Sequence, residues 1–336
     1  MKAFLKAYKF LFLVTAISWA SQAVANEEPK VEKKKTYTKS YPVNSGEKIS
    51  LYNQFGEMKL ITWDKNEVKL DATITGKADD EQRAQQILDK ITIEDGKGSD
   101  GVYFKTRFGK DQWEKEDKNK DEKKSHRNEG MEVNYTVYLP AQNPLNAENQ
   151  FGPMTIPDYR GEATLVSKFG SLTAGRLTNA KAVTVEFGKG EIAQMNGGKL
   201  VIKFSRGSVN KLGGEVGAQF EFCDKIKVNV DNDVKDLDIK NSYSTIYVNL
   251  DKNFSGNYDI ATSFGDFNNK TNFTIKEKGE GNEDRHGPRF DHKYSGTSGS
   301  GNTKVKIKSS FGEVILGHDL QVDMTESNKK GRTRSI

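Results

Sequence analysis

A short aromatic unit recurs along this chain at nearly constant spacing, and no other feature limits its fold as tightly. NQFGEM (Asn53 to Met58) returns 96 residues later as NQFGPM (Asn149 to Met154). Related units follow as SKFGSL, VEFGKGEI, IKFSRGSV, FEFCDKI, NSYSTI, TSFGDF and SSFGEV. Their aromatic residues are Phe151, Phe169, Phe187, Phe204, Phe222, Tyr243, Phe264 and Phe311. The first five are 18, 18, 17 and 18 residues apart, the next two steps are 21 each, and the last is 47. Such regularity marks a repeat array.

Each repeat holds two short runs of alternating polarity, the period of a half-buried strand. One follows the aromatic corner, as in Met154-Thr155-Ile156, and the other precedes the next corner, as in Ala163 to Val166. Turn formers separate them, such as Pro157-Asp158 and Asn196-Gly197-Gly198. Two strands and two turns make one flattened coil, and coils stack about 4.8 Å apart in parallel register. The expected fold is all-β: a single-chain parallel β-solenoid of about 18 residues per coil. Its corners are assigned to Phe151, Gly152, Phe169, Gly170, Phe187, Gly188, Phe204, Phe222, Tyr243, Phe264, Gly265, Phe311 and Gly312. The rings are expected to point inward as a buried stack, each burying about 150–250 Å². On that reading Phe187→Ala costs about 3–5 kcal/mol, and the glycine after each ring allows a corner that a side chain would obstruct. The copy at Phe55 suggests that the N-terminal strands join the same system.

The first 25 residues read as a signal peptide. Lys2, Lys6 and Lys9 precede an apolar stretch from Phe10 to Trp19, and Ala23-Val24-Ala25 supplies an A-x-A cleavage site. Cleavage after Ala25 takes away three lysines and no acids, so the formal net charge falls from +5 to +2. A chain that close to neutral does not point to nucleic acid, and no second apolar stretch offers a transmembrane helix. Residues 26–47 read as a charged lead-in. Residues 48–140 form a β-rich cap region with one helix over 79–91 (Ala84, Ile87, Leu88 and Ile91 on one face) and a charged insertion at 110–130. The coils occupy 145–320, interrupted by a loop insertion at 270–303, and 321–336 reads as a disordered tail.

Motifs with chemical potential are sparse. Gly96 to Gly101 matches G-x-G-x-x-G, but a strand follows where a dinucleotide site needs a helix, so it reads as a hairpin turn. Gly296 to Thr303 resembles a P-loop but has Asn302 in place of lysine. His286 and His292, with Asp284 and Asp291, fit no standard metal spacing. The run Asp231, Asp233, Asp236 and Asp238 could suit Ca²⁺, yet it lacks the G-G-x-G-x-D repeat and reads as a solvated turn. The lone Cys223 lies in a strand pattern and reads as a buried, inert thiol. No paired carboxylates or nucleophile elbow stand out. No catalytic, cofactor-binding or metal residue is assigned, and no cofactor is expected.

With its aromatic-glycine corners, its leader and the stretch NEVKLDATITGKADDEQRAQQILDKITIED (Asn66 to Asp95), the chain resembles the bacterial putative-adhesin family of exported β-solenoid proteins. The resemblance covers Asn66 to Asp95 and the coils from Phe151 to Leu316, and it carries over no catalytic residue. It implies a non-catalytic envelope protein, in the periplasm or on the outer surface, that binds a glycan or protein partner through the solenoid face. Two other readings stand beside it: a periplasmic scaffold or sensor partner in envelope homeostasis, and a carbohydrate-active enzyme on a β-helix.

Overall fold

A computed structural model describes residues 30–109, 128–279 and 290–324. Residues 1–25, with the leader and its cleavage site, lie outside that range, as do most of the 110–130 insertion, His286 and most of the tail. The described chain is nearly all-β, with one short helix. The N-terminal part comprises β1 (Val31–Pro42), β2 (Ile49–Gln54), β3 (Met58–Trp63), β4 (Glu67–Ala78), α1 (Glu81–Asp89), β5 (Ile91–Gly98), β6 (Gly101–Phe108) and β7 (Gly130–Pro140). The repeats supply β8 (Leu145–Gln150), β9 (Met154–Ile156), β10 (Ala163–Lys168), β11 (Ser171–Leu177), β12 (Ala180–Glu186), β13 (Lys189–Lys203), β14 (Arg206–Glu221) and β15 (Lys225–Ser242). There follow β16 (Thr245–Asn249), β17 (Gly256–Ser263), β18 (Phe267–Lys270), β19 (Ile275–Glu277), β20 (Asp291–Thr297), β21 (Thr303–Ser310) and β22 (Glu313–Gly317).

These strands lie in two facing rows. One row runs β6, β2, β8, β10, β12, then the second halves of β13, β14 and β15, then β21 and β17. The other runs β7, β3, β9, β11, then the first halves of β13 to β15, then β16, β22 and β18. Neighbours within these stretches pair in parallel. The long strands β13 to β15 cross from one row to the other and join both into a single 22-stranded sheet. Apolar side chains alternate inward from each row, as with Val183, Val185, Leu200 and Ile202 facing Leu172, Ile192, Met195 and Val209.

Strand orientation is mixed, which corrects the expected single-chain parallel β-solenoid. The pairs β1–β4, β4–β7, β5–β6, β17–β20 and β19–β20 are antiparallel. All five lie at the two ends, where hairpins can cover open edges. The supposed lead-in is therefore largely a strand, β1, paired along its whole length with β4. The 270–303 stretch likewise returns to the sheet through β19 and β20. Chain order also departs from spatial order: β21 lies between β15 and β17, and β22 between β16 and β18, so the last coil is tucked under an earlier one.

The helix packs where its apolar face predicts. Asp80 caps it by accepting from the Arg83 N–H, and Ala84, Ile87 and Leu88 are buried. At its other end Lys35 donates to the carbonyls of Leu88, in the last helical turn, and of Ile91, the first residue of β5. Tyr37 and Tyr41 of β1 both donate to the Asp95 carboxylate of β5, which ties the two rows together at this end. The hydrogen bond to Asp95 pushes the Tyr41 phenol up to about 12, so it keeps its donor proton at neutral pH.

Candidate binding surface

Each corner is built from four residues in the order x-x-aromatic-small. The aromatic residue takes the left-handed conformation: Phe55, Phe151, Phe169, Phe187, Phe204, Phe222, Tyr243, Phe264 and Phe311 all have φ between 49° and 62°. That conformation costs a residue with a Cβ roughly 1–2 kcal/mol. The glycine beside it is absent from the positive-φ positions. Its role is therefore steric, at a corner that a side chain would obstruct. A Cβ on Gly170 would stand 2.0 Å from the Gly152 carbonyl oxygen, and one on Gly188 would stand 1.7 Å from that of Gly170. The glycines let successive corners stack closely. Gly188→Ala is expected to cost about 1–3 kcal/mol by overpacking. Gly217→Ala, whose Cβ would meet nothing within 4 Å, should not destabilise; urea unfolding of the two variants checks the contrast.

The left-handed turn also sets where the rings go. Val183 and Val185 point inward, and strict alternation would send Phe187 the same way. The positive φ at Phe187 breaks the alternation and swings the ring out. Phe187 is 47% exposed, and Phe151, Phe169, Phe204, Phe222, Tyr243, Phe264, Phe290 and Phe311 are exposed to a similar extent. The expectation of a buried stack is thus overturned, although the stack itself exists. Neighbouring ring centroids from Phe55 through Phe151, Phe169, Phe187, Phe204, Phe222, Tyr243 and Phe311 to Phe264 are 4.7–5.1 Å apart, with planes within 7° of parallel. Phe290 extends the line at 4.7 Å from Phe264. The ladder has the pitch of the strands beneath it.

Small residues floor a shallow open groove along the ladder. Over its middle the groove is lined by Phe169, Phe187, Phe204 and Phe222, with Lys189, Arg206 and Asp224 on its far side. Further along, Asp224, Glu313 and Asp266 border it. The rim is thus basic near the middle of the ladder and acidic toward β18. On the other flank Lys203 and Glu221, each just before a corner, form an ion pair at 2.9 Å.

A buried polar network beneath the ladder was not anticipated from sequence. The Asn149 amide donates to the carbonyls of Gly56, Gly152 and Pro153, each at 3.0 Å, and accepts from Asn53. Asn53 also donates to Val133 O, and Thr106 donates to Asn53. The recurrence of NQFG is the signal that could have found it: asparagine, rather than an apolar residue, stands at an inward position. Where the glycine is replaced, Ser205 and Ser244 bond back to the carbonyls of Lys203 and Ser242. Cys223 occupies the same place, buried, with its thiol donating to Ile202 O, and burial pushes that thiol up.

The remaining motifs disperse. Gly96 to Gly101 closes the β5–β6 hairpin, with Gly98 opposite Gly101. Gly299 and Gly301 take left-handed turns before β21. Asp231 pairs with Lys211 and Asp236 with Lys304, so the acidic run does not converge. His292 contacts Glu277 at 2.7 Å beside Asp291 and Lys293. Among the described residues no helix is long and apolar enough to cross a membrane.

No family profile matches the chain, and no curated protein sequence matches it. Solved structures do. A "putative cell adhesion protein" from Clostridium sporogenes is 15% identical over 85% of this chain and 100% of its own, with a TM-score of 0.23. A "putative lipid binding protein" from Parabacteroides distasonis is 11% identical over 84% of this chain and 96% of its own, at 0.25. A "putative adhesin" from Bacteroides fragilis is 13% identical over 84% of this chain and 98% of its own, at 0.35. Likeness of this degree carries no functional weight.

Proposed function

We propose that the protein is a non-catalytic, exported cell-envelope protein whose parallel-paired part is a β-solenoid, and that it binds a protein or glycan partner, adhesin-like, along the aromatic ladder. The observation that carries this reading is the line of nine exposed rings. A half-exposed aromatic side chain leaves on the order of 100 Å² of apolar surface, so the line totals on the order of 900 Å². Soluble monomers rarely expose contiguous apolar patches above about 300–600 Å². The charged flanks supply the polar rim that recognition surfaces carry.

The test compares wild type with Phe169→Ser/Phe187→Ser/Phe204→Ser, each coated on beads and offered to envelope fractions and a glycan array. Circular dichroism confirms that the variant is folded. The ladder reading expects at least a tenfold loss of capture, since central aromatic anchors each contribute about 1 kcal/mol or more. Equal capture by both would move the binding surface off the ladder. Protease treatment of intact cells then locates the protein. Cleavage without lysis fits the outer surface. Protection until the envelope is opened fits a periplasmic scaffold using the same surface.

A further inference from the structure

We infer that the partner of the ladder is a second copy of this chain, docked face to face and antiparallel. The inference rests on the ladder being the binding surface. Along the line each ring's faces are covered by its neighbours, so what the ladder presents outward is a row of ring edges. Flat stacking of a sugar on an aromatic face is blocked except at the ends. A partner has to match a straight apolar ridge about nine strand spacings long, on the order of 45 Å. A second ladder has that length and that pitch by construction. The exposed area, on the order of 900 Å², is close to the ~800 Å² per partner of a standard stable interface.

The flanking charges choose the orientation. A two-fold axis between the Phe204 and Phe222 rungs reverses the order of rungs across the interface. Arg206, on the groove side of one copy, then comes opposite Asp224 of the other, and the symmetry makes the contact twice. On the other flank Lys203 comes opposite Glu221, so the ion pair within each chain becomes part of a four-charge cluster. A parallel dimer would instead bring the groove side of one copy against the opposite flank of the other at the same level. Arg206 would face Lys203 and Asp224 would face Glu221, like charge against like at two successive rungs. Like charges in an interface disfavour the wrong partner and orientation.

Sedimentation velocity of the protein purified after export, over a dilution series reaching micromolar concentrations, tests the inference. The expected species is a dimer. Arg206→Glu should raise the dimer dissociation constant about tenfold or more, because it sets like charges in two symmetric contacts. Arg206→Glu/Asp224→Arg should restore it. Both positions are on the surface, and unchanged circular dichroism confirms the fold of each variant. A chain that stays monomeric throughout overturns the self-pairing, as does a dimer that ignores Arg206→Glu or is not rescued by the double exchange. That result is separable from failure of the ladder itself. If the triple-serine variant loses envelope capture while wild type is monomeric, the ladder stands and its partner is another molecule.

Discussion

Phe220→Ala is expected to lower the free energy of unfolding by about 3–5 kcal/mol, the usual cost of truncating a fully buried aromatic side chain. Phe187→Ala is expected to cost about half as much. Both residues precede or form a corner, and the sequence motif does not separate them. Phe220 is fully buried, in the same row and at the same level of its coil as Val185 and Ile202. Phe187 gives up only the covered half of its ring and its stacking on Phe169 and Phe204. A further variant reads the backbone. Phe187 has φ 56°, a conformation that alanine adopts no more cheaply than phenylalanine and glycine adopts freely. Phe187→Gly should therefore be at least as stable as Phe187→Ala, the reverse of the order at an ordinary strand position. Urea unfolding of the three variants decides the matter. Equal losses at Phe220 and Phe187 would put the ladder rings back inside the sheet.

The same residues mark what was legible in the sequence. The spacing of Phe151, Phe169, Phe187, Phe204 and Phe222 reveals stacked strands because pairing distance and coil length are properties of the backbone. The side of the sheet on which those rings lie is set by one dihedral angle per coil, and period-2 alternation cannot carry through a left-handed residue. The mixed strand orientation was hidden for another reason. Strand β1 reads as a lysine-rich lead-in, yet lysines suit an exposed edge strand, and its partner β4 lies some 25 residues away along the chain. The order of the last coils was equally obscure, since the 47-residue step to Phe311 does not say that the ring returns between Tyr243 and Phe264. The proposed binding surface was legible only as a set of structural corners: its rings could be named, but their exposure could not.

Asn149→Leu is expected to destabilise the protein by about 2–5 kcal/mol, because leaving a buried hydrogen-bonding group unpaired costs about 1–3 kcal/mol each. Asn149 is fully buried, and leucine is close to it in size, so the effect isolates the amide. Pro153 O also accepts from the Met58 N–H, whereas Gly56 O and Gly152 O lose the Asn149 donor. These are the carbonyls over which the next glycine stacks, so the loss falls on the contact that lets successive corners approach. Asn149→Asp sharpens the test. A carboxylate placed among three carbonyl oxygens is destabilised by repulsion and by burial, which raises its folded-state pKa above the unfolded value of about 3.9. The folded state then binds the extra proton, so stability is greatest below the unfolded pKa and falls as pH rises through the folded one. Asn149→Asp should unfold at progressively lower urea as the solution is taken from acid to neutral, relative to wild type at each pH, while Asn149→Leu shows no such added slope. If Asn149→Leu unfolded at the wild-type midpoint, the corner carbonyls would have another donor, and the asparagine in NQFG would owe its recurrence to something other than the hydrogen bonds under the ladder.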